Sequence, residues 1–332
     1  MPTPPERRKK RPYHRVRHKK SPRTTKPGEH VPVLLPEVLA TLNLQPGQVV
    51  VDCTLGYAGH SVELLKCVGP TGRLIATDLD AGYLAEAEAL LVAVGNPYLV
   101  KHSNFAGLAN ILAAESIMGV DGVLADLGMS SMQVDDRDRG FSYMRDGPLD
   151  MRMDRTRGKT AAELLNEIPL EDLIVALRDL GDEPEAEKIA NAIFNHRVEK
   201  PFERTTELRD LIELAAPVTV ILGPGRFPAR KQRLLPTTRV FQTLRILVNR
   251  ELANLQQLLR LLPHVLNPGG TAAIISFHSG EDRIVKAAFR TGLRDGTYEA
   301  ASEEAIRPTA DEKLANPRAR SAKLRWARKP KE

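Results

Sequence analysis

Between residues 31 and 127 the chain alternates two kinds of apolar pattern. The short continuous runs "VVVDC", "RLIAT", "YLVKHS" and "GVLADL" have the length and composition of buried strands. Between them, "PEVLATLNL", "HSVELLKCV", "AGYLAEAEALLVAV" and "FAGLANILAAES" space their apolar residues three and four apart, the period of a helix. The joints carry turn chemistry: "QPGQ" and "GPTG" break the chain, and Asp80 is placed to cap the helix that follows it. Strands that are apolar throughout are covered on both faces, so the alternation predicts an α/β fold with a doubly wound, parallel sheet.

Near residue 128 the alternation stops. After a stretch rich in Gly, Asp and Arg come four helical patterns, "TAAELLNE" opened by a Thr160–Glu163 capping box, "PLEDLIVALRDL", "PEAEKIANAIFNHRVEK" and "TTELRDLIELAA". No strand alternates with them, which predicts a helical domain over residues 138–235 inserted into a sheet domain. "TTRVFQTLRILVNRELANLQQLLRLL" then predicts one long helix, with Val240, Leu244, Val248, Leu252, Leu255 and Leu259 along one face. "NPGG" ends it, "TAAIISF" returns to the sheet as a buried strand, and "SAKLRWARK" predicts a final edge strand. The expected division is a basic leader (1–29), the first part of the sheet domain (30–137), the helical insertion (138–235), and the second part of the sheet domain with a basic tail (236–332).

Charge changes this picture at both ends. Residues 1–27 hold 11 Lys and Arg against Glu6, and residues 307–332 hold 9 against three acids. The chain totals +6, so the stretch between these ends carries −10: an acidic body with two basic tails. Tails of this kind meet polyanions, and nucleic acid is the expected partner. The leader lacks the apolar core of a secretory signal, and no apolar run approaches the length of a membrane span. Cys53 and Cys67 are too few for a disulfide framework or a zinc site. These features predict a cytoplasmic protein without a metal.

In open parallel sheets ligands bind at the carboxyl ends of the strands, where the strand order reverses. Asp52, Asp78 and Asp126 fall at such ends. The loop after Asp52 holds Gly56 and Gly59 but no G-x-G-x-x-G, the turn that brings a backbone against a pyrophosphate, so a nicotinamide dinucleotide is disfavoured. A carboxylate 26 residues after Asp52 still suits a ribose, and S-adenosylmethionine has a ribose without a phosphate. Read alone, Asp78 has a helix cap or a solvated loop as its alternative, His60 fits a cap or a ligand contact, and Phe105 a core residue or an adenine neighbour.

Read together, the motifs are specific. "HVPVLLPEVL", "VDCTLGYAGHS", "ADLGMSSMQVDDRDRGFSYMRDGPLDMRMD", "TTRVFQTLRILVNREL", "IISFHSGEDRIVK" and "NPRARSAKLR" occur in the order of the RsmH (MraW) family, which this chain closely resembles from about residue 30 to 328. That family comprises bacterial small-subunit ribosomal RNA methyltransferases that make N4-methylcytidine from S-adenosylmethionine. The resemblance implies a class I S-adenosylmethionine-dependent methyltransferase, a Rossmann-like doubly wound sheet with an inserted helical domain. It implies cofactor contacts at Ala58, Gly59, His60, Asp78, Phe105, Asp126 and Gln133, with small-subunit (16S) ribosomal RNA or the assembled small subunit as partner. Two positions depart from the family pattern: Ala58 replaces the first glycine of the turn, and Gly280 replaces the leucine of "HSLEDR". If position 58 takes a positive φ, alanine is strained there.

Cytosine N4 is a weak nucleophile because its lone pair is delocalised into the ring, so a catalyst must aim it and accept its N–H groups. The Asn/Asp/Ser-Pro-Pro-aromatic motif common in amino-methyltransferases is replaced here by "DLGMSS". Asp126 is therefore the first candidate acceptor, with Ser130 and Ser131 behind it. Phe141, Tyr143 and Arg145 offer stacking planes and a charge suited to an extruded base or single-stranded RNA, or else sit buried in an ordered loop. Arg226, Arg230, Lys231 and Arg233 form a basic loop suited to an RNA backbone. The rival expectations are a methyltransferase of the same fold with another acceptor and an RNA-binding assembly factor without catalysis.

Overall fold

The computed structural model describes residues 31–217 and 235–332, so the leader and the basic loop at 226–233 lie outside the described residues. The chain runs α1 (Leu35–Leu42), β1 (Val49–Asp52), α2 (Gly59–Val68), β2 (Arg73–Asp78), α3 (Leu84–Val92), β3 (Tyr98–His102), α4 (Leu108–Ala114) and β4 (Val120–Asp126). It continues through α5 (Ser131–Asp135), α6 (Ala161–Glu167), α7 (Leu170–Asp179), α8 (Ala186–Glu199), α9 (Thr205–Ala215), α10 (Pro236–Asn249) and α11 (Glu251–Val265). Last come β5 (Leu266–Ser276), α12 (Ser279–Arg294), β6 (Ala300–Ala301), α13 (Ala310–Ala315) and β7 (Lys323–Arg328).

The strands form one sheet in the order β3-β2-β1-β4-β5-β7-β6. β1 to β5 pair in parallel, and the order reverses between β1 and β4, so Asp52 and Asp126 end neighbouring strands. Successive strand residues face opposite sides. Val51, Val123 and Ile274 pack with Leu112, Leu255, Leu262 and Phe289 on one face, while Val50, Leu124 and Ile275 pack with Val38, Leu64 and Leu91 on the other. Both faces are dry, which is why these strands read as unbroken apolar runs. A third apolar cluster, including Leu149, Leu165, Leu177, Ile193, Phe202, Ile212 and Leu244, is built from the segment between β4 and α10 together with α10 itself. The Thr160 capping box is present, with Glu163 reaching back to the Thr160 N–H.

Three expectations are corrected. The sheet is not wholly parallel: β7 runs antiparallel to β5, and β6 antiparallel to β7. β7 is an inner strand, because the two-residue β6 covers its outer side. The long helix is two helices, α10 and α11, broken at Arg250 in the left-handed region (φ 52°, ψ 37°). Packing explains the break. Val240, Phe241 and Leu244 of α10 enter the helical cluster, whereas Leu255, Leu258 and Leu262 of α11 enter the sheet core. A straight helix would point one of these stripes at the wrong partner.

Candidate active site

A cavity opens at the carboxyl ends of β1, β2 and β4, walled on its far side by the start of α11, the end of β5 and Met153. Its floor is a carboxylate network. Asp52 is fully buried and accepts from the Ser61 hydroxyl (2.7 Å), the Thr54 N–H (3.0 Å) and the Thr54 hydroxyl (3.3 Å). Burial pushes its carboxyl up to about 7, against the pull of those hydrogen bonds. The Thr54 hydroxyl also accepts from the Asp126 N–H (2.7 Å), which joins the two strand ends.

Asp78 links two turns. One oxygen accepts from the Gly56 N–H and the other from the Asp80 N–H, both at 2.8 Å. Burial raises its carboxyl and these backbone donors oppose the rise. Each oxygen keeps a lone pair, so the ribose role stays open to it. The helix cap is Asp80, which accepts from the Gly82 N–H at 3.0 Å. The other Asp80 oxygen takes Gln133 Nε2 at 2.8 Å and the Arg139 guanidinium at 2.7 Å. Gln133 Oε1 in turn accepts from the Ser130 N–H, so Gln133 lines the cavity with its amide already bonded at both ends.

Gly59, His60, Phe105 and Asp126 also line the cavity. Phe105 packs beside the sheet-face cluster that contains Leu255. His60 Nε2 bonds the Val33 carbonyl at 2.9 Å, and its Nδ1 lies 3.8 Å from Asp126 Oδ2. Asp126 Oδ1 is buried and without a hydrogen-bond partner. Burial, then Asp52, then Glu281, push the Asp126 carboxyl well above its ordinary range. Of the expected cofactor contacts, only Ala58 is absent from the wall. It is fully buried at the start of α2 with φ 59° and ψ 16°, so it shapes the turn instead of meeting a ligand.

For Phe141 and Tyr143 the second of the two expected places, packed in an ordered loop, is the one observed. Phe141 belongs to the helical core, and Tyr143 bonds Thr238 (2.8 Å) and meets the Phe241 ring edge-on. Arg145 donates to the Asp135 carbonyl. Neither aromatic ring is presented as a stacking platform, whereas Arg145 is exposed. Ser130 caps α5 and lines the cavity, whereas Ser131 is buried away from it.

The residues not anticipated come from distant segments: Pro32 and Val33, Met153, Asn249, Glu251, Asn254, Glu281 and Arg318. Arg139 and Asn249 hold the "DMRMD" segment over the cavity. Arg139 donates to the Arg152 and Met153 carbonyls (3.0 Å each), and Asn249 to the Met151 carbonyl (2.8 Å) while accepting from the Met153 N–H (2.8 Å). The α10–α11 break that aims Asn249 has no local signal in the sequence. Glu251, His278 and Glu281 cluster closely enough to suggest a metal. Arg245 already grips both Glu251 oxygens (2.8 and 2.9 Å). His278 Nδ1 accepts from the Gly280 and Glu281 N–H groups, so its Nε2 carries the hydrogen and has no lone pair for a metal.

The lining fits S-adenosylmethionine. Asp80 and Glu251 are paired with Arg139 and Arg245, and among the described lining residues the remaining carboxyls, Asp78, Asp126 and Glu281, leave a phosphate only Arg318 as a positive partner, a lining that suits a cation better. Apolar walls at Phe105, Leu127 and Leu255 suit an adenine ring.

A family model described as the MraW methylase family matches residues 28–330. The chain is 42% identical over 309 residues to ribosomal RNA small subunit methyltransferase H 1 of Lachnoclostridium phytofermentans, covering 92% of this chain and 82% of that one. It is 42% identical over 317 residues to ribosomal RNA small subunit methyltransferase H of Geobacter sp. strain M21, covering 90% and 98%. Among solved structures it is similar to TrmN from Thermus thermophilus, at 13% identity, TM-score 0.40 and coverage of 89% of this chain and 48% of that one. It is also similar to a SAM-dependent O-methyltransferase from Thermotoga maritima, at 9% identity, TM-score 0.36 and coverage of 89% and 64%. Both structural likenesses are too loose to bear on function.

Proposed function

The chain belongs to the MraW methylase family and is an S-adenosylmethionine-dependent methyltransferase, and from that premise we propose that it methylates N4 of a cytidine in small-subunit (16S) ribosomal RNA. The observation that carries the reading is the Asp126 carboxyl, which lines the cavity at the carboxyl end of β4, is 23% exposed, and has one buried oxygen, Oδ1, without a hydrogen-bond partner. Buried acceptors are ordinarily satisfied, so an orphan on a carboxyl that lines a cavity marks a place for a donor. An exocyclic amine is such a donor. The names of the relatives, which are small-subunit rRNA methyltransferases, support the substrate class.

In this reading Gly59, Asp78, Phe105 and the capped Gln133–Asp80 pair hold the cofactor, with Asp78 on the ribose and Phe105 beside the base. Bound S-adenosylmethionine supplies a sulfonium methyl already activated for attack. The protein's share is positional and electrostatic. Asp126 aims the amine, and the apolar wall keeps water from competing for it. We read residues 138–235 as the unit that recognises RNA, with the assembled subunit or its RNA as partner in the cytoplasm.

The test is methyl transfer from labelled S-adenosylmethionine to unmethylated small subunits and to naked small-subunit rRNA, with nucleoside mass spectrometry of the product. N4-methylcytidine from the wild type, and at least 100-fold less from Asp126→Ala, is the expected result. Methyl groups on a different atom, or undiminished turnover by Asp126→Ala, overturn the reading. Cofactor binding without transfer to either substrate points to another acceptor, and no binding at all to a non-catalytic assembly factor.

A further inference from the structure

A second cavity adjoins the first and shares one residue with it. Phe277, just past β5, lines both. Its ring also packs on the loop that follows Asp126, because a Cβ added at Gly128 would lie 3.4 Å from Phe277 Cδ2. The second cavity, of about 800 Å³, opens between the turn after α7, the first half of α10 and the Phe277–Ser279 corner, with the exposed Ser321 at its rim. Its walls are firmly joined. A Cβ at Gly181 would lie 2.5 Å from Thr243 Oγ1, so glycine is what lets the end of α7 come this close to α10. Arg239 and Glu183 form a buried ion pair at 2.7 Å, and the Ser279 hydroxyl donates to Asp182 Oδ2 at 2.9 Å.

The chemistry of this lining points to a flat, neutral, polar group. Its arginine and carboxylate charges cancel, Arg178 and Arg239 against Asp182 and Glu183, so a phosphate finds no excess positive charge there. Phe277 offers apolar surface, and Gln242 offers hydrogen bonds. The Gln242 side chain is half-buried, lines the cavity, and has no hydrogen-bond partner among the described residues. Its amide atoms are not sealed from solvent either. A free amide presents an acceptor beside two donors, the pattern that reads the edge of a nucleobase.

We propose that the second cavity receives the ribonucleotide adjacent to the target cytidine, with its base against Phe277 and its edge read by Gln242. The proposal rests on the N4 reading above, which puts the target base beside Asp126. Phe277 then stands between two consecutive bases and keeps the target unstacked from its neighbour. Enzymes that work on a base take it out of its stack and draw sequence preference from the flanking nucleotides. The backbone of the wedge is held in place, since the Phe277 N–H donates to Glu281 Oε2 at 2.9 Å.

Two measurements on the full chain test this. In the first, Ser321→p-benzoylphenylalanine is irradiated with S-adenosylhomocysteine and unmethylated small subunits, and again with naked small-subunit rRNA. A crosslink is expected at a nucleotide immediately 5′ or 3′ of the cytidine that the wild type methylates; crosslinks only elsewhere, or none, overturn the subsite. In the second, each neighbour of that cytidine is replaced by the other three bases, and single-turnover transfer is compared between the wild type and Gln242→Leu. At one neighbour the wild type should lose at least tenfold in kcat/KM and the variant less than threefold, with S-adenosylhomocysteine affinity within twofold. Equal base preference in the two proteins overturns the role of Gln242. Cofactor affinity that falls in step with the rate overturns it as well, because Gln242 then only supports the fold. If the methyl group sits on an atom other than N4 while the crosslink and the lost preference stand, the N4 reading has failed and the neighbouring subsite has not.

Discussion

Ala58 adopts φ 59° with its methyl group fully buried, in a turn where a glycine would have no conformational penalty. It is one of seven non-glycine residues at positive φ among the described residues, and Leu34 and Arg250, like Ala58, stand next in sequence to residues that line the cavity. The left-handed alanine costs about 1–2 kcal/mol. Deleting its buried methyl forfeits about 0.8 kcal/mol. Ala58→Gly is therefore expected to stabilise the protein, by less than about 1 kcal/mol, with S-adenosylhomocysteine affinity unchanged; a lower melting temperature contradicts this. Asp52 gives a residue-level prediction with a definite sign. Its carboxyl ionises near 3.8 when unfolded and about 7 when folded, because burial disfavours the charge. The folded state thus holds the proton more tightly. Stability from this group is complete below pH 3.8 and is lost as pH rises to about 7, by on the order of 4 kcal/mol. Asp52→Asn removes the penalty, so its stability relative to the wild type should improve between pH 5 and pH 8 in urea titrations. A difference that does not vary with pH shows that the carboxyl is not perturbed.

At the scale of elements, what could be read in advance is what depends on neighbours along the chain. The parallel strands, the Asp80 and Thr160 caps and the helices of the insertion all rest on spacing and capping within a few residues. The order of β5, β7 and β6 rests instead on pairing between segments far apart, and β6, two residues long, has no pattern to detect. The same distinction divides the site. Asp78, Phe105 and Asp126 stand at strand ends and were legible, while Glu251, Asn254 and Met153 reach the cavity only because α10 and α11 part at Arg250. Asn249 makes that break functional. Its side chain bonds Met151 and Met153 across the cavity wall and returns to the Arg245 carbonyl at 2.9 Å. Asn249→Ala leaves the half-buried Met153 N–H and the buried Met151 carbonyl with a partner missing, at up to about 1–3 kcal/mol each. We expect urea unfolding to show a loss of about 2–4 kcal/mol, together with S-adenosylhomocysteine affinity weakened at least tenfold. A stability loss with affinity intact makes Asn249 a fold residue alone.

At the scale of the whole molecule, charge and topology meet at the rim of the cavity. The first described residues are tied down on several sides: Val31 by Asn316, Val33 by His60, and Leu34 by the Glu312 carboxylate. Pro32 and Val33 line the cavity, and Arg318 of the C-terminal segment lines it too. The basic leader therefore joins the body at the lip of the active site, beside the other basic end of the chain. Between these ends lies a body of net −10, which repels polyanions from surfaces where they do not belong. Each phosphate contact on a single strand contributes about −0.7 to the slope of log affinity against log salt. A leader carrying 11 cations that supplied only four such contacts would steepen the slope by about 3. Deleting residues 1–29 should flatten the slope by that order for small-subunit rRNA and weaken binding most at low salt. S-adenosylhomocysteine affinity should be unchanged, because the Val31 to Leu34 anchor remains. Filter binding from 50 to 300 mM salt (roughly the range over which such slopes are read) measures the effect. An unaltered slope would assign RNA affinity to the C-terminal arginines and the helical insertion, and would leave the leader without a part in substrate capture.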